Sequence, residues 1–311
     1  MYNFRTDLAS ERREIYQKAN KLSDEIDGIE STKEEINENI KIERVKITNE
    51  NGEKAIGKPI GNYITIDVKK LKIAQEEEIA KAAETLSNEL RKIIDLHIDK
   101  KGEMLVVGLG NIYVTPDSLG PKVINEIDVT RHLINYLPQY VEEGTRMVSA
   151  ISPGVLGTTG IETVEILKGI VDNINPKLVV VIDALASRSI ERISSTVQIS
   201  DTGIVPGAGV GNTRSEISQR TLGIPVIAIG IPTVVETAVL VNDSLDLFIT
   251  KLQDEAKSND YLNSLKEQDN YEEIKEALIP NDYNMIVTPK EIDDLIENMK
   301  DVIARGINYA V

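Results

Sequence analysis

Short apolar runs alternate with helix-like stretches through the middle of the chain. Four such runs are EMLVVGLGN, RMVSAISPG, KLVVVIDAL and IPVIAIGIPT, and the segments between them predict helices over residues 120–137 and 161–173. Buried parallel strands appear as continuous apolar runs because helices cover both faces of their sheet. The pattern therefore predicts an α/β fold of three layers, with a central and mostly parallel sheet over residues 104–240.

The N-terminal third of the chain has a different pattern. Residues 9–40 are charged, and their apolar positions recur at helical spacing. These positions are Ile15, Ala19, Leu22, Ile26 and Ile29. Residues 41–70 alternate polar and apolar side chains around Asn-Glu-Asn-Gly, which predicts a small β-hairpin subdomain. Residues 71–98 are amphipathic, and we expect a helix that ends near Gly102.

The C-terminal part of the chain divides into two segments. Residues 241–290 are rich in Asp, Glu, Lys and Asn, with weak apolar periodicity, so we expect a peripheral acidic segment. Residues 291–311 follow a Thr-Pro-Lys-Glu helix start and carry an apolar stripe. Its members are Ile292, Leu295, Ile296, Met299 and Ile303. We expect this last helix to pack on the sheet.

Charge and hydropathy narrow the possible partners. The chain has 311 residues, with 35 Lys and Arg against 51 Asp and Glu, and a net charge of -16. Such a field repels a phosphate backbone, so we expect no direct nucleic acid partner, although a basic or DNA-bound protein could be a substrate. No run of eighteen apolar residues occurs, and charges interrupt the N-terminus. We therefore expect no membrane partner and a cytoplasmic location.

The inventory of reactive side chains is short. The chain has no cysteine and two histidines, His97 and His132, each in a helix-like stretch where a lone histidine is usually structural. A Ser-His-Asp triad or a multi-histidine zinc site is therefore poorly supported, and we expect no metal. The glycine-rich GLGN and GAGVGN stretches lack the spacing of nucleotide-binding loops, so we expect no cofactor. Carboxylates are the leading candidates for chemistry.

Two carboxylates, Asp117 and Asp183, each follow an apolar run. In α/β sheets, ligands gather where the carboxyl ends of strands emerge, so the two acids are placed to share a cleft. There each would raise the other's pKa, and the pair could share one proton. Two structural alternatives stay open: Asp117 could cap a helix that begins near Gly120, and Asp183 could bond to backbone amides.

Hydroxyl and charged side chains near these acids are further candidates for the cleft. They are Thr158, Thr159, Glu162, Ser187, Arg188 and Ser189. Their types favour turn and cap roles, and an ordinary salt bridge is the commoner fate of an arginine such as Arg188.

Several long strings in the chain together resemble one known family. They are VVGLGNIYVTPDSLGP, ISPGVLGTTGIET, IDALASRS and GAGVGNTRSEIS followed by GIPVIAIGIPTVVET, with RTDLASE near the start and GEKAIGKPIGNYITID in the hairpin. They are similar to the germination proteases of endospore-forming bacteria. The resemblance covers residues 5–240 and fades in the acidic segment.

The resemblance implies an aspartic-type endopeptidase, with a fold similar to that of the hydrogenase-maturation peptidases. Its two essential aspartates match Asp117 and Asp183 of the catalytic core, residues 104–240. The resemblance also implies degradation of small acid-soluble, DNA-protecting spore proteins in the spore core. It further implies a homotetramer and a self-processing zymogen.

The resemblance extends to the zymogen's own cleavage site. Thr6-Asp7-Leu8-Ala9-Ser10-Glu11 looks like such a site, so we predict a cut between Asp7 and Leu8. Residues 1–7 are then a propeptide, and residues 8–311 form one peptidase domain.

Two other functions remain open at this point. One is a metal-dependent maturation peptidase that uses the same acids as ligands. The other is an acidic protein that binds basic or DNA-coating partners without cutting them.

Overall fold

One sheet, with nine strands among the residues that the structure describes, organises the molecule. The computed structural model describes residues 6–20, 26–69, 71, 75–207, 214–256 and 285–311. The strands are β1 (Ile29–Glu35), β2 (Ile40–Ile47), β3 (Gly61–Val68), β4 (Met104–Gly108), β5 (Val148–Ile151), β6 (Leu178–Ser187), β7 (Thr196–Ser200), β8 (Val226–Glu236) and β9 (Ile286–Val287). Their order is β1-β2-β3-β7-β8-β6-β4-β5, and β9 pairs with β8.

The sheet has two halves with different strand directions. Strands β5, β4, β6 and β8 are parallel to one another, and they are the four apolar runs of the sequence. Strands β1, β2, β3 and β7 are antiparallel, and β7 joins them to β8. The α/β class is therefore confirmed, while the sheet is mixed rather than mostly parallel, because the N-terminal strands extend it.

Helices cover both faces of the sheet. They are α1 (Ala9–Ala19), α2 (Glu50–Ile56), α3 (Glu76–His97), α4 (Leu119–Ile124), α5 (Arg131–Tyr136), α6 (Leu156–Thr159), α7 (Thr163–Ile174), α8 (Gln219–Leu222), α9 (Thr237–Ala256) and α10 (Ile292–Ala310). On one face, α3, α4 and α10 pack over Val106, Val180 and Ile229. On the other, α7 and α8 pack over Val107 and Val181. The expected helix over 120–137 is divided into α4 and α5.

The N-terminal region differs from its predicted elements in two ways. The helix expected over residues 9–40 ends at Ala19, and Ile29–Glu35 is an edge strand paired with β2. Strands β2 and β3 pair antiparallel, as a hairpin does, but helix α2 connects them. Asn49 begins that helix, because its side chain accepts hydrogen bonds from the amides of Asn51 and Gly52. The pair is continuous with the main sheet, because β3 pairs with β7.

The C-terminal helix lies close to its predicted bounds. Helix α10 spans Ile292–Ala310 and packs its apolar stripe against α3 and the large core. The acidic segment predicted at 241–290 begins within α9, and its residues 257–284 lie outside the described residues. Among the helices that the structure describes, none is long and apolar enough to cross a bilayer.

Candidate active site

A cleft of about 450 Å³ opens beyond the carboxyl end of β4, over the middle of β6. Its polar lining residues include Asp7, Asn111, Asp117, Glu162, Asp183 and Arg214. The two predicted acids therefore share one cleft, and the N-terminal segment contributes a third. Part of the GAGVGN stretch borders this cleft at Gly207, and the rest lies outside the described residues.

A tight loop after β4 positions Asp117. Its Oδ2 accepts a hydrogen bond from the Asn111 amide at 2.8 Å. Gly110 has a φ of 115°, and a Cβ there would lie 2.0 Å from the Asp117 carbonyl oxygen, so the loop requires glycine. Helix α4 begins after Ser118, and Asp117 bonds a loop amide rather than capping it. Burial raises the pKa of Asp117, and the Asn111 amide opposes that rise.

Asp183 lies within β6 rather than at its end. Strand β4 stops opposite Ile182, but β6 continues to Ser187 because β8 still pairs with it. The residue is 6% exposed, and its Oδ1 accepts from the Ala184 amide at 2.9 Å. Burial raises the pKa of Asp183 well above its usual value, and the charges of Asp117 and then Asp7 add to the rise. Asp183 is thus the carboxyl that holds a proton most readily.

Asp7 enters the cleft from the N-terminal segment. Its amide donates to the Ala186 carbonyl at 3.1 Å, and its Oδ2 accepts from the Ala186 amide at 3.0 Å. The β6–β8 register shifts between Leu185 and Ala186, where the pairing skips Thr233 of β8. Burial lowers the pKa of the nearby Lys58 to about 8, and the Asp7 charge opposes that change.

The side chain of Gln198 on β7 makes hydrogen bonds to the backbone of the same segment on either side of Leu8. Its Nε2 donates to the Asp7 carbonyl at 3.1 Å, and its Oε1 accepts from the Ala9 amide at 2.7 Å. Leu8 and Ala9 are fully buried. The predicted Asp7–Leu8 cleavage point is therefore held through its backbone.

A second anchor fixes Glu11, four residues beyond Asp7. Its carboxylate accepts from the amides of Arg188 at 2.8 Å and Ser189 at 3.1 Å, and from the Thr6 hydroxyl. The Arg192 guanidinium lies 3.5 Å away. Burial raises the pKa of Glu11, and these donors oppose the rise. The segment is bound much as a peptide ligand is bound, through backbone bonds and one charged anchor.

The histidines and most of the other candidates have structural roles. His97 faces Asp201, with its Nε2 3.4 Å from Oδ2, and His132 is exposed on α5. Thr158 and Thr159 bond the Val155 carbonyl in a turn.

The charged candidates near the acids divide between structural and cleft positions. Arg188 pairs with Asp243, as expected of an ordinary salt bridge. Ser187 bonds the Ser189 carbonyl, and Ser189 begins the short helix after β6. Glu162 both lines the cleft and starts α7.

Gln198 and the Glu11 anchor were not predicted as site residues. The stretch SSTVQIS is not one of the continuous apolar runs, although Thr196 to Ser200 alternate polar and apolar side chains as a strand does. That alternation could have predicted the strand. The donors to Glu11 are backbone amides, which every residue except proline has, so the residue types could not predict them.

Acids that share a cleft beside parallel strands, with a chain segment bound there by its backbone, form a site of the α/β class that is suited to hold a peptide. A family model described as germination protease matches residues 6–264 and 261–311. The chain belongs to the germination protease family and is a protease.

Individual relatives align in sequence with almost the whole of this chain. The germination protease of Clostridium perfringens is 48% identical over 100% of this chain and 96% of its own length. That of Caldanaerobacter subterraneus subsp. tengcongensis is 50% identical over 99% and 94%. A [NiFe] hydrogenase maturation protease, HycI from Thermococcus kodakarensis KOD1, matches 47% of this chain and 80% of its own at 18% identity. Its TM-score of 0.30 is too low to carry an argument about fold.

Proposed function

We propose that this protease is the endopeptidase that begins the degradation of small acid-soluble, DNA-protecting proteins during spore germination. The observation that carries the proposal is the cleft shared by Asp117, Asp183 and Asp7. The excess of acidic residues favours basic or DNA-coating protein substrates over nucleic acid itself. We place the enzyme in the cytoplasm of the spore, its core, as a homotetramer.

The two acids divide the work of peptide hydrolysis. Asp117, which accepts the Asn111 amide, acts as the general base and takes a proton from the attacking water. Asp183, which faces the charges of Asp117 and Asp7, is the protonated partner. As the C–N bond breaks, Asp183 gives its proton to the leaving amine. No metal or other cofactor enters this scheme.

The N-terminal segment makes the chain a zymogen. Asp7 occupies the cleft, so a substrate cannot bind there until the segment is cut and residues 1–7 leave. The chain cuts itself between Asp7 and Leu8, where Gln198 holds both flanking backbone groups. Cutting removes the acidic Asp7 side chain from beside Asp183.

Two mass measurements test the proposal. The purified chain is incubated across pH, and its intact mass is followed; we expect loss of residues 1–7 and a new N-terminus at Leu8. The processed enzyme is then mixed with a peptide containing Thr-Asp-Leu-Ala-Ser-Glu, which we expect it to cut after Asp.

The same assays separate the alternatives. A chelator should leave both reactions unchanged, because among the described residues no group of three His, Asp or Glu side chains could hold a metal ion. Activity lost on chelation and restored by a divalent metal would favour a metallopeptidase. Binding of the peptide without any cut would favour an acidic binding protein.

A further inference from the structure

A peptidase needs more than a base and an acid. When water adds to a peptide carbonyl, negative charge develops on the oxygen, and a fixed hydrogen-bond donor aimed at that oxygen lowers the barrier. The two aspartates account for the two proton transfers, but not for this charge. We propose that Gln198 supplies the donor, so that it is a third catalytic residue of the reaction; the inference rests on the proposed cut between Asp7 and Leu8.

The first support is the contact that Gln198 makes. Its Nε2 donates at 3.1 Å to the Asp7 carbonyl oxygen, which belongs to the peptide bond that we propose is cut. That oxygen is the atom on which the charge would develop.

The second support is that the amide group of Gln198 is fixed in orientation. Its Oε1 accepts from the Ala9 amide at 2.7 Å, so a flipped amide would set like groups against each other at both ends. The side chain is 7% exposed, and burial limits competition from water. A donor held this way needs little reorganisation during the reaction.

The third support is the sheet register, which aligns Gln198 with Asp183. Gly230 of β8 lies directly opposite Gln198 of β7 on one side and Asp183 of β6 on the other. Residues in one such row project from the same face of the sheet. The middle residue is a glycine, and the Leu185 side chain fills the space above it, 2.4 Å from where a Cβ would lie. The donor and the proposed proton source therefore face the segment from the same face of the sheet.

The chemistry that follows is a direct hydrolysis. The oxygen of water bonds to the Asp7 carbonyl carbon while Asp117 takes its proton. The carbonyl electron pair moves onto the oxygen, where the Gln198 Nε2 hydrogen bond stabilises it. The pair then returns, the C–N bond breaks, and the Leu8 nitrogen leaves with the proton of Asp183. Water is consumed, and no oxidant or reductant is needed.

Self-processing of the full chain is the test. Gln198→Met keeps the length of the side chain but removes the donor, and Gln198→Glu keeps one acceptor while placing a carboxylate against the developing charge. We expect the self-processing rate at neutral pH to fall about 100-fold in each, as for loss of one oxyanion donor. Ser200→Ala, a polar deletion on the same face of β7, is the matched control and should process at the wild-type rate.

The pH dependence separates catalysis from folding. In Gln198→Glu, the introduced carboxyl regains a donor when protonated, so its rate relative to wild type should rise as pH falls. The neighbouring charged side chains, Asp7, Asp117, Asp183, Lys58 and Arg12, are the same in both proteins, so the ratio isolates the new group. A purely structural role predicts that the Tm of Gln198→Glu falls with rising pH in step with its rate, whereas a catalytic role predicts a fall in rate larger than the loss of folded protein.

The outcomes that count against the inference are specific. Either Gln198 variant processing within threefold of wild type would overturn it, as would a ratio independent of pH. A wild-type chain that never cuts at Asp7–Leu8 would instead overturn the proposed function, and this inference with it.

Discussion

The two halves of the sheet contribute different parts of the site. The parallel half, β5-β4-β6-β8, carries Asp183 on β6 and Asp117 in the loop after β4. The antiparallel half, β1-β2-β3-β7, carries no member of the acidic pair, but its β7 supplies Gln198. The two halves meet where β7 pairs with β8, and the N-terminal segment lies across that junction. The acidic pair thus belongs to the parallel half, while both halves bind the segment, through Ala186 on β6 and Gln198 on β7.

The comparison shows why the two predicted acids are only part of the site. Parallel strands bring loop and strand acids together at one edge, which suits proton transfer. They have neighbours on both sides, so little backbone is left free to bind a peptide. Beside Ala186, whose backbone binds Asp7, the pairing of β6 with β8 skips Thr233 of β8, and the antiparallel neighbour adds a side chain that bonds to peptide backbone.

The largest expected effect comes from the acids of the parallel half. Asp117→Asn and Asp183→Asn each keep the size of the side chain but remove the carboxyl that takes or gives a proton. We expect each to lower self-processing at least about 1,000-fold, since general acid–base groups contribute about 10² to 10⁴. Intact mass over time measures the rate.

Asp172→Asn is the control for these two changes. Asp172 lies on α7, where it pairs with Lys168 on the surface, and it does not line the cleft. It should process normally. Near-normal turnover in either Asp117→Asn or Asp183→Asn would contradict the paired-acid mechanism.

A smaller effect is expected where the segment is anchored. Glu11→Gln keeps the shape of the side chain but replaces a charged acceptor of the Arg188 and Ser189 amides with a neutral one. Charge-assisted hydrogen bonds are about twice as strong as neutral ones, so we expect roughly tenfold slower self-processing.

Glu14→Gln is the matched control for the anchor. It removes the same charge from the same helix and from the same Arg192, but the Arg188 and Ser189 amides donate to Glu11 rather than to Glu14. Equal slowing in the two variants would mean that net charge, rather than the anchor, controls docking.

Asp183→Asn should raise the stability of the protein although it lowers its activity. The pKa of Asp183 is raised in the folded protein by burial, Asp117 and Asp7, so the folded state binds more protons than the unfolded state between the ordinary and the raised value. This carboxyl therefore lowers stability as pH rises through that window. Asp183→Asn removes the charge and should stabilise the protein by about 1–2 kcal/mol at pH 7.

Thermal unfolding of the two proteins across pH measures this gain. The difference in Tm should shrink as pH falls below the ordinary aspartate value of 3.8, because Asp183 then becomes protonated in the unfolded state as well. A variant less stable than wild type at pH 7 would show that Asp183 is needed for packing. Gly230→Ala is no control here, since a Cβ there would lie 2.4 Å from the Leu185 side chain.

Much of this picture could be predicted from the sequence. Continuous apolar runs identified all four parallel strands, and the acids that follow two of them proved to share a cleft. The scarcity of histidine and the absence of cysteine left these acids as the leading candidates. Local composition was enough because burial on two faces leaves a strong hydrophobic signature.

The rest depended on contacts between residues distant in the chain. Asn-Glu-Asn-Gly is compatible with both a hairpin turn and a helix start. It starts a helix here, because the Asn49 side chain accepts hydrogen bonds from two backbone amides. Strand β1 is exposed on most of its length, so it has no apolar period to detect. Gln198 and Asp7 are 191 residues apart, and only the fold brings them together.

The smallest expected effect lies in the antiparallel half, away from the junction. The Asn49 side chain accepts from the Asn51 amide at 2.9 Å and the Gly52 amide at 3.1 Å, which fixes the start of α2 between β2 and β3. Asn49→Ala leaves both amides without that acceptor and should cost about 1 kcal/mol of stability, a shift of about 2–4 °C in Tm. Asn49→Asp retains the acceptor and should melt near wild type.

Both Asn49 variants should self-process at the wild-type rate, because Asn49 touches neither the cleft nor the N-terminal segment. That result would separate the two contributions of the antiparallel half, since its helix cap acts on stability alone and its Gln198 on the reaction. If Asn49→Ala lowered both the Tm and the self-processing rate, local opening of β2 and β3 would also disturb β7. The two halves would then have to be treated as one cooperative unit in which strand pairing itself holds the segment in place.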